Sequence, residues 1–460
     1  MKSSRTGRVR RAAALLASLE LTAVLGGCAS GDGAGSGRTT INWWTWDDKQ
    51  AVAYQSCADA FEKAHPGIHV RITQYNSADY FTKLLSGFVS DTAPDAFMNS
   101  VQYLQQYASL KQLMPLDGLM KKTGYGTKRF SVGVDDWKYT DGKQYGLPMD
   151  WASAALYYNT GMLKKAGYSA ADVDHLKWNP DDGGSFERMV AHLTVDRDGV
   201  RGDEKGFDKR HVKTYGISSM VAVGNDFNGL TTWRPLASSL GWRIGNKPNW
   251  PTEFRYDDPR LVRTFDYVRK LTDKGFAPAP GQFASAGNAP DGGQLLGSGK
   301  VAIYSGGSWE AATLAKLPGL KVGTGPLVAG PDGTRATVSN ANGNTIWSGT
   351  RHLDETWAWV SYMGSAACQT PASRTGTFLP SIPAATDASV KAMAAQGVDL
   401  RVFLQQSRTH QLLPNSPYAN GTALQSALLP LMQQFFAHQR SASVFPQMTE
   451  ESRKLLRPTD

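Results

Sequence analysis

From Thr40 the chain opens on Thr40-Ile41-Asn42-Trp43-Trp44-Thr45-Trp46, a β-branched and aromatic run that predicts a strand. The period changes at Asp47-Asp48. Ala51, Tyr54, Cys57, Ala58 and Phe61 then recur at helical spacing, until His65-Pro66-Gly67 ends the pattern. Ile68 to Ile72 alternates as a second strand, Tyr80 to Val89 reads as a second helix, and Asp95 to Met98 as a short third strand. Strands alternating with helices at this spacing predict parallel strands joined by crossover helices. Ligands of such sheets bind beyond the carboxyl ends of the strands, where Trp46, Asp47 and Asn99 fall.

Further along, Pro148-Met149-Asp150-Trp151 leads into the apolar run Ala154 to Tyr158, which predicts a buried strand. A helix is expected near Phe186 to Leu193, followed by a charged stretch to Arg210 that reads as a solvated surface insertion. Asp196, Asp198 and Asp203 in that stretch lack the spacing and terminal Glu of a calcium loop. The segment Asp258 to Lys274 is amphipathic, with Gly275 as its stop. "GKVAIYSGGSWEAATL" predicts a strand, a glycine turn and a helix from Ser308 onward, "NANGNTIW" leads into another strand, and the chain beyond Leu353 is mostly helical. Trp43 and Trp44 alternate, so at least one of them belongs in a core; Trp357 and Trp359 on their amphipathic helix read as core or lobe-surface packing, and Trp137 and Trp178 cannot be placed.

The N-terminus adds a location. Lys2, Arg5, Arg8, Arg10 and Arg11 precede a mostly apolar Ala12 to Leu25, too short for a stable membrane span, and Leu25-Gly26-Gly27-Cys28 closes it. A leader over 1–27 is expected, with either Sec or twin-arginine export. A flexible Gly/Ser tether follows over 28–38. Removing the leader lowers the net charge of +9 to about +5, and the basic residues are scattered, so there is no nucleic-acid footprint. Cys57 and Cys368 are read as buried free thiols in preference to one disulfide. His65 and His69 are separated by Pro66-Gly67, which argues against a zinc site.

"PMDWASAALYYNTGMLKK" (148–165) resembles the signature of the family 1 bacterial extracellular solute-binding proteins, the sugar-binding components of ABC importers. "FEKAHPGIHV", "APDAF", "LMPLDGLM", "GKVAIYSGGSW", "GPLVAGPDG" and "NANGNTIW" follow in the family's order, so the resemblance runs from Thr39 to about Leu456. It implies an α/β, two-lobed periplasmic-binding-protein-like fold of type II. Lobe I would comprise 39–150 plus about 340–380, and lobe II 151–339 plus about 381–460, joined by hinge strands that let the lobes close on a ligand. The Leu-Gly-Gly-Cys sequence resembles a lipobox, which implies lipidation of Cys28 and an extracytoplasmic, membrane-anchored protein. The implied partners are a sugar or oligosaccharide and the permease subunits of an ABC importer. The protein would act as a monomer, with no cofactor, no metal and no catalytic residue.

A sugar site needs carboxylates and amides to pair hydroxyls, because an unpaired buried polar group costs about 1–3 kcal/mol, and aromatic faces for the C–H patches. The chain has 13 tryptophans, several beside acids or amides at expected strand ends. Carried over residue by residue, the resemblance implies ligand contacts from Trp46, Asp47 and Asp48 in the first loop, Asn99 after the third strand, and Asp150 and Trp151 at the first crossing. In the second lobe it implies the stacking Trp309 after Gly306-Gly307, and Asn225 with Trp233 is a further candidate pair because an amide stands near a tryptophan at an expected strand end. Asn342 and Gly343 lie on the return, and Tyr418 near the last helices. A glycerol phosphate ester as cargo on the same fold, or a secreted carbohydrate-active enzyme pairing acids with tryptophans, are the rival readings. Against an enzyme, the chain has no Gly-x-Ser-x-Gly elbow, and Gly299-Lys300 is followed by Val301, which breaks a P-loop.

Overall fold

The computed structural model describes residues 37–221, 227–283, 292–376, 378–415 and 417–457. The leader, Cys28 and Asn225 lie outside them. Twelve strands follow in chain order: β1 Thr39–Thr45, β2 Ile68–Gln74, β3 Ala96–Ser100, β4 Leu147–Ala152, β5 Ala154–Asn159, β6 Val195–Asp196, β7 Val212–Ile217, β8 Val301–Gly307, β9 Val322–Gly325, β10 Thr337–Ile346, β11 Leu379–Pro380 and β12 Leu412–Pro414.

They form two sheets. The first runs β11-β4-β10-β3-β1-β2, with β12 alongside β10; the second runs β6-β7-β8-β5-β9. As the alternating pattern predicts, β1 pairs parallel with both β2 and β3 through helical crossovers. The later strands return antiparallel: β10 against β3 and β4, and β5 against β8 and β9. The reason lies in the short connection at Ser153, which separates β4 in one sheet from β5 in the other. β10 is long enough to pair with β12 at Thr337–Ser339 and with β3 at Asn342–Ile346. The Thr337 hydroxyl accepts the Ala154 N–H at 3.3 Å, tying the two crossings together. The result is a two-lobed α/β fold.

Each face of the first sheet carries a core. Ile41, Trp43, Tyr54, Phe61 and Trp359 lie on one, and Tyr80, Phe97, Tyr107 and Trp137 on the other. Trp43 is fully buried and Trp44 half-buried, as the two-residue period requires. Trp178, Phe186, Trp233, Phe265 and Phe435 build the large core of the second lobe. β3 and β5 are almost continuously buried, the pattern of strands covered on both faces.

Two expectations need correction. Cys57 and Cys368 are not free thiols but form a disulfide, with Cα atoms 5.1 Å apart. Cys57 lies on the buried face of the helix Asp48–Ala64, and the helix Ala366–Ser373 packs there 311 residues later; no local pattern encodes that encounter. The charged stretch before Arg210 is also more than solvated surface. Asp196 is buried and accepts the N–H groups of Asp198, Val200 and Asp208, organising the whole turn.

Candidate functional site

The segments that follow β1 and β8 touch through Lys49 and Thr313. β1 delivers Trp46, and Asp47 begins the helix Asp48–Ala64. One Asp47 oxygen, Oδ1, accepts the N–H groups of Lys49 at 2.9 Å and Gln50 at 2.8 Å, which satisfies two of the donors a helix start leaves open. Burial raises the Asp47 pKa, against those two bonds. Asp48 is exposed and accepts the Lys49 N–H. From the same turn, Lys49 Nζ donates to Thr313 Oγ1 at 2.9 Å. Thr313 lies in the helix Ala311–Leu314, just beyond Trp309. The contact places the Trp46–Asp48 turn beside the Trp309 turn.

Trp309 is 40% exposed, unlike the buried tryptophans of the cores. Its indole lies flat on Gly307: a Cβ there would come within 2.2 Å of the ring. The glycine is needed for space, since its φ of −88° is one any residue adopts. Glu310 fixes the turn, accepting the Gly307 N–H at 2.9 Å and the Tyr304 hydroxyl at 2.8 Å, while the Tyr157 hydroxyl donates to the Gly307 carbonyl.

On the opposite wall, half-buried Trp46 packs 5.2 Å from both Tyr80 and Phe81, and Phe81 stacks on Tyr103 at 3.9 Å. Phe81 and Tyr103 sit in the helices that follow β2 and β3. The three half-buried rings therefore line the carboxyl ends of three parallel strands. The sequence reading found Trp46 and missed the other two. Their signal was a ring in the first turn or two after each strand.

Beneath this wall lies a polar cluster. Asp150 is buried; its Oδ2 accepts from Gln50 Nε2 and its Oδ1 from Asn342 Nδ2, each at 2.9 Å. The cluster joins the first helix to both crossing strands. Burial lifts the Asp150 pKa from 3.8 to about 7, offset in part by its bonds to Gln50 and Asn342. Asn99 is completely buried, and neither atom of its amide has a partner. Gln50 was also missed. It interrupts the apolar stripe of Ala53, Tyr54 and Cys57 one turn after Asp47, and that interruption was its signal.

The raised Asp150 value has a pH consequence. In the fold Asp150 keeps a proton that the unfolded chain releases, so its contribution to stability is full below about pH 4 and is lost as pH rises to about 7. Asp150→Asn is expected to flatten stability over that window, measured by denaturant unfolding at a series of pH values. An unchanged slope contradicts the assignment.

The remaining sequence-derived candidates are placed elsewhere. Trp151 is buried behind the crossing, its Nε1 donating to the Pro380 carbonyl at 3.1 Å. Trp233 is fully buried against Trp242 and Phe265. Gly343 makes room for the Trp137 ring, which a Cβ would approach to 2.3 Å. Tyr418 is buried against Phe227 and Phe254, and its hydroxyl accepts from Asn228. In this conformation the side chains of Trp151, Trp233 and Tyr418 pack the protein interior and Gly343 leaves space for Trp137, while Asp150 and Asn342 lie at the crossing and Trp46, Asp47, Asp48, Asn99 and Trp309 at or near the strand-end turns.

Comparisons with known proteins bear on the family and the fold. A family profile described as bacterial extracellular solute-binding protein matches residues 56–397. Among solved structures, Mycobacterium tuberculosis UspC superposes with a TM-score of 0.71 at 26% identity, over 90% of this chain and 100% of that one. An ABC substrate-binding protein from Listeria monocytogenes in complex with cycloalternan superposes with a TM-score of 0.74 at 20% identity, over 91% and 98%. The lactose-binding protein of Rhizobium radiobacter is 30% identical over 153 residues, 31% of this chain and only 34% of that protein.

Proposed function

The chain belongs to the bacterial extracellular solute-binding protein family, and from that premise we propose that it captures a sugar or oligosaccharide between its lobes and passes it intact to an ABC importer permease. The observation that carries the reading is an aromatic surface on each of two turns joined by the Lys49–Thr313 contact: Trp309 exposed on Gly307 in one, and the Trp46–Phe81–Tyr103 ladder in the other. Two ring faces suit the C–H patches of a pyranose. Asp47 Oδ2, Asp48 and the unpartnered Asn99 amide supply acceptors and donors for its hydroxyls. The saccharides named for the Listeria and Rhizobium relatives support a carbohydrate cargo.

A thermal-shift screen against mono- and oligosaccharides tests the reading. A true ligand at about 100 times its dissociation constant adds about 2.7 kcal/mol of stability. No shift from any saccharide contradicts it.

Capture also implies motion about the crossings Pro148–Ala155 and Ser339–Asn344. The radius of gyration from small-angle scattering is expected to fall at saturation with a ligand found in that screen; an identical profile argues against closure. For delivery at the membrane, the Leu25-Gly26-Gly27-Cys28 sequence and its Gly/Ser tether support lipid anchoring at Cys28. Cys28→Ala is expected to leave the protein unprocessed or shed. A variant that stays in the membrane fraction with the wild-type mature mass overturns that part of the account.

A further inference from the structure

Trp137 pins the turn that precedes β4. Its ring is fully buried and takes the space that Gly146 and Gly343 leave open. Asp136, one residue earlier on the short helix Asp135–Trp137, is carried inside with it and is 4% exposed. The same segment lies on β10: a Cβ on Gly133 would come within 3.1 Å of the Ala341 Cβ. Ser339 stands two residues before Ala341, on the same face of that strand. It is 2% exposed, and its hydroxyl has no hydrogen-bond partner. Asp136 and Ser339 line one cavity of about 470 Å³, together with Ser407, His410 and β12. Ser407 belongs to the helix Arg401–Arg408, whose Phe403 packs against Tyr157 of β5. The cavity therefore lies where the segment before β4 of the first sheet meets a helix packed on the second.

The charges in this cavity do not balance. No hydrogen bond or cation among the described residues offsets the burial of Asp136, and the neighbouring charge it feels is that of Asp135; burial first, and that like charge second, raise its pKa to about 7. Asp135 is exposed and already holds Lys138 at 2.7 Å. His410 is the remaining titratable group of the lining, which contains no Lys or Arg. A buried carboxyl without a partner costs free energy, and a donor that carries positive charge relieves that cost best. An ammonium brings three donors, for which the Asp136 carboxylate and the Ser339 and Ser407 hydroxyls are acceptors. A metal ion fits less well: calcium takes about 6–8 oxygen ligands, and no group of three His, Cys, Asp or Glu among the described residues is placed to hold one. The volume lies within the roughly 300–1,000 Å³ of small-molecule sites, and Val132 and Leu412 offer apolar wall for a carbon skeleton. We infer that this cavity binds a primary ammonium carried on a small hydroxylated skeleton, an amino alcohol or an amino sugar. The inference stands on the Asp136 cavity and does not depend on the carbohydrate reading of the aromatic turns.

Calorimetric titration of the whole protein with ethanolamine, glucosamine, ethylene glycol and sodium chloride at matched ionic strength tests the assignment. One saturable site is expected for ethanolamine or glucosamine, and none for sodium chloride or for ethylene glycol, which lacks the ammonium. The tighter of the two amines shows whether the skeleton is an open chain or a sugar ring. Asp136→Asn is expected to weaken that binding at least about tenfold and Ser339→Ala severalfold; the second variant keeps the test open if the first misfolds. Asp135→Asn is expected to leave it within about twofold, because Asp135 is an exposed partner of Lys138. The ammonium selects the ionised carboxylate, so wild-type affinity is expected to fall as pH is lowered through about 7. Protonation of His410 opposes a cation in the same direction, and a fall that is much flatter in Asp136→Asn assigns it to Asp136. Absence of a saturable site for both amines, equal binding of ethylene glycol, or affinity that Asp136→Asn and Ser339→Ala leave intact overturns the inference.

Discussion

Trp309→Ala is expected to weaken sugar binding at least about thirtyfold while the melting temperature of the unliganded protein barely moves. Loss of an aromatic anchor that is a hot spot costs at least about 2 kcal/mol of binding. The indole is 40% exposed and rests on the backbone of Gly307, so its removal opens no internal cavity. A tryptophan built into the core, such as Trp233, predicts the opposite: truncation there costs about 3–5 kcal/mol of folding stability. Titration and a melt on the same variant separate the cases. A Trp309→Ala protein that binds normally, or one that melts far lower without ligand, contradicts the stacking role.

The second large effect concerns the disulfide. Replacing Cys57 and Cys368 together with Ala is expected to cost about 2–5 kcal/mol of stability, because the bridge closes a loop across 311 positions of sequence. Both residues lie in the core of the first lobe, alongside Phe61 and Trp359 and away from the Trp309 turn. Sugar affinity should therefore survive at temperatures where the variant is folded. Denaturant unfolding of wild type and variant measures the cost. Equal unfolding free energies, or peptide mapping that finds both thiols free in the exported protein, contradicts this account.

The first lobe was legible because its pattern is local. The aromatic run of β1, the helix from Asp48 and the stop at His65-Pro66-Gly67 each follow from side-chain period and turn chemistry within some twenty residues, and the structure places their boundaries there. Gly275 as the stop of the helix Pro259–Asp273 was equally plain, and its φ is +76°. Long-range features were not legible. Strand direction around β10 depends on where a chain crossing between sheets returns, and the partner of Cys57 on a helix that forms 311 residues later. The tryptophans divide along the same line. Trp309 could be singled out because its glycine neighbours imply close packing over backbone. Trp151 and Trp233 carried the same polar company in sequence, yet the hinge and a ring of aromatic side chains bury them. Phe81 and Tyr103 look like ordinary helix residues until parallel pairing of β1, β2 and β3 sets their helices side by side. Gln50 shows how a site can hide inside a helical stripe: its side chain is polar where the period calls for an apolar one, and its partner Asp150 is 100 positions away.

The central claim is that the protein holds a carbohydrate without changing it. Incubation with the oligosaccharide selected by thermal shift, followed by removal of free ligand, denaturation and mass analysis of what is released, measures this directly. The account predicts one intact oligosaccharide per chain. Shortened products, or a protein that releases no sugar at saturating concentration, would contradict it.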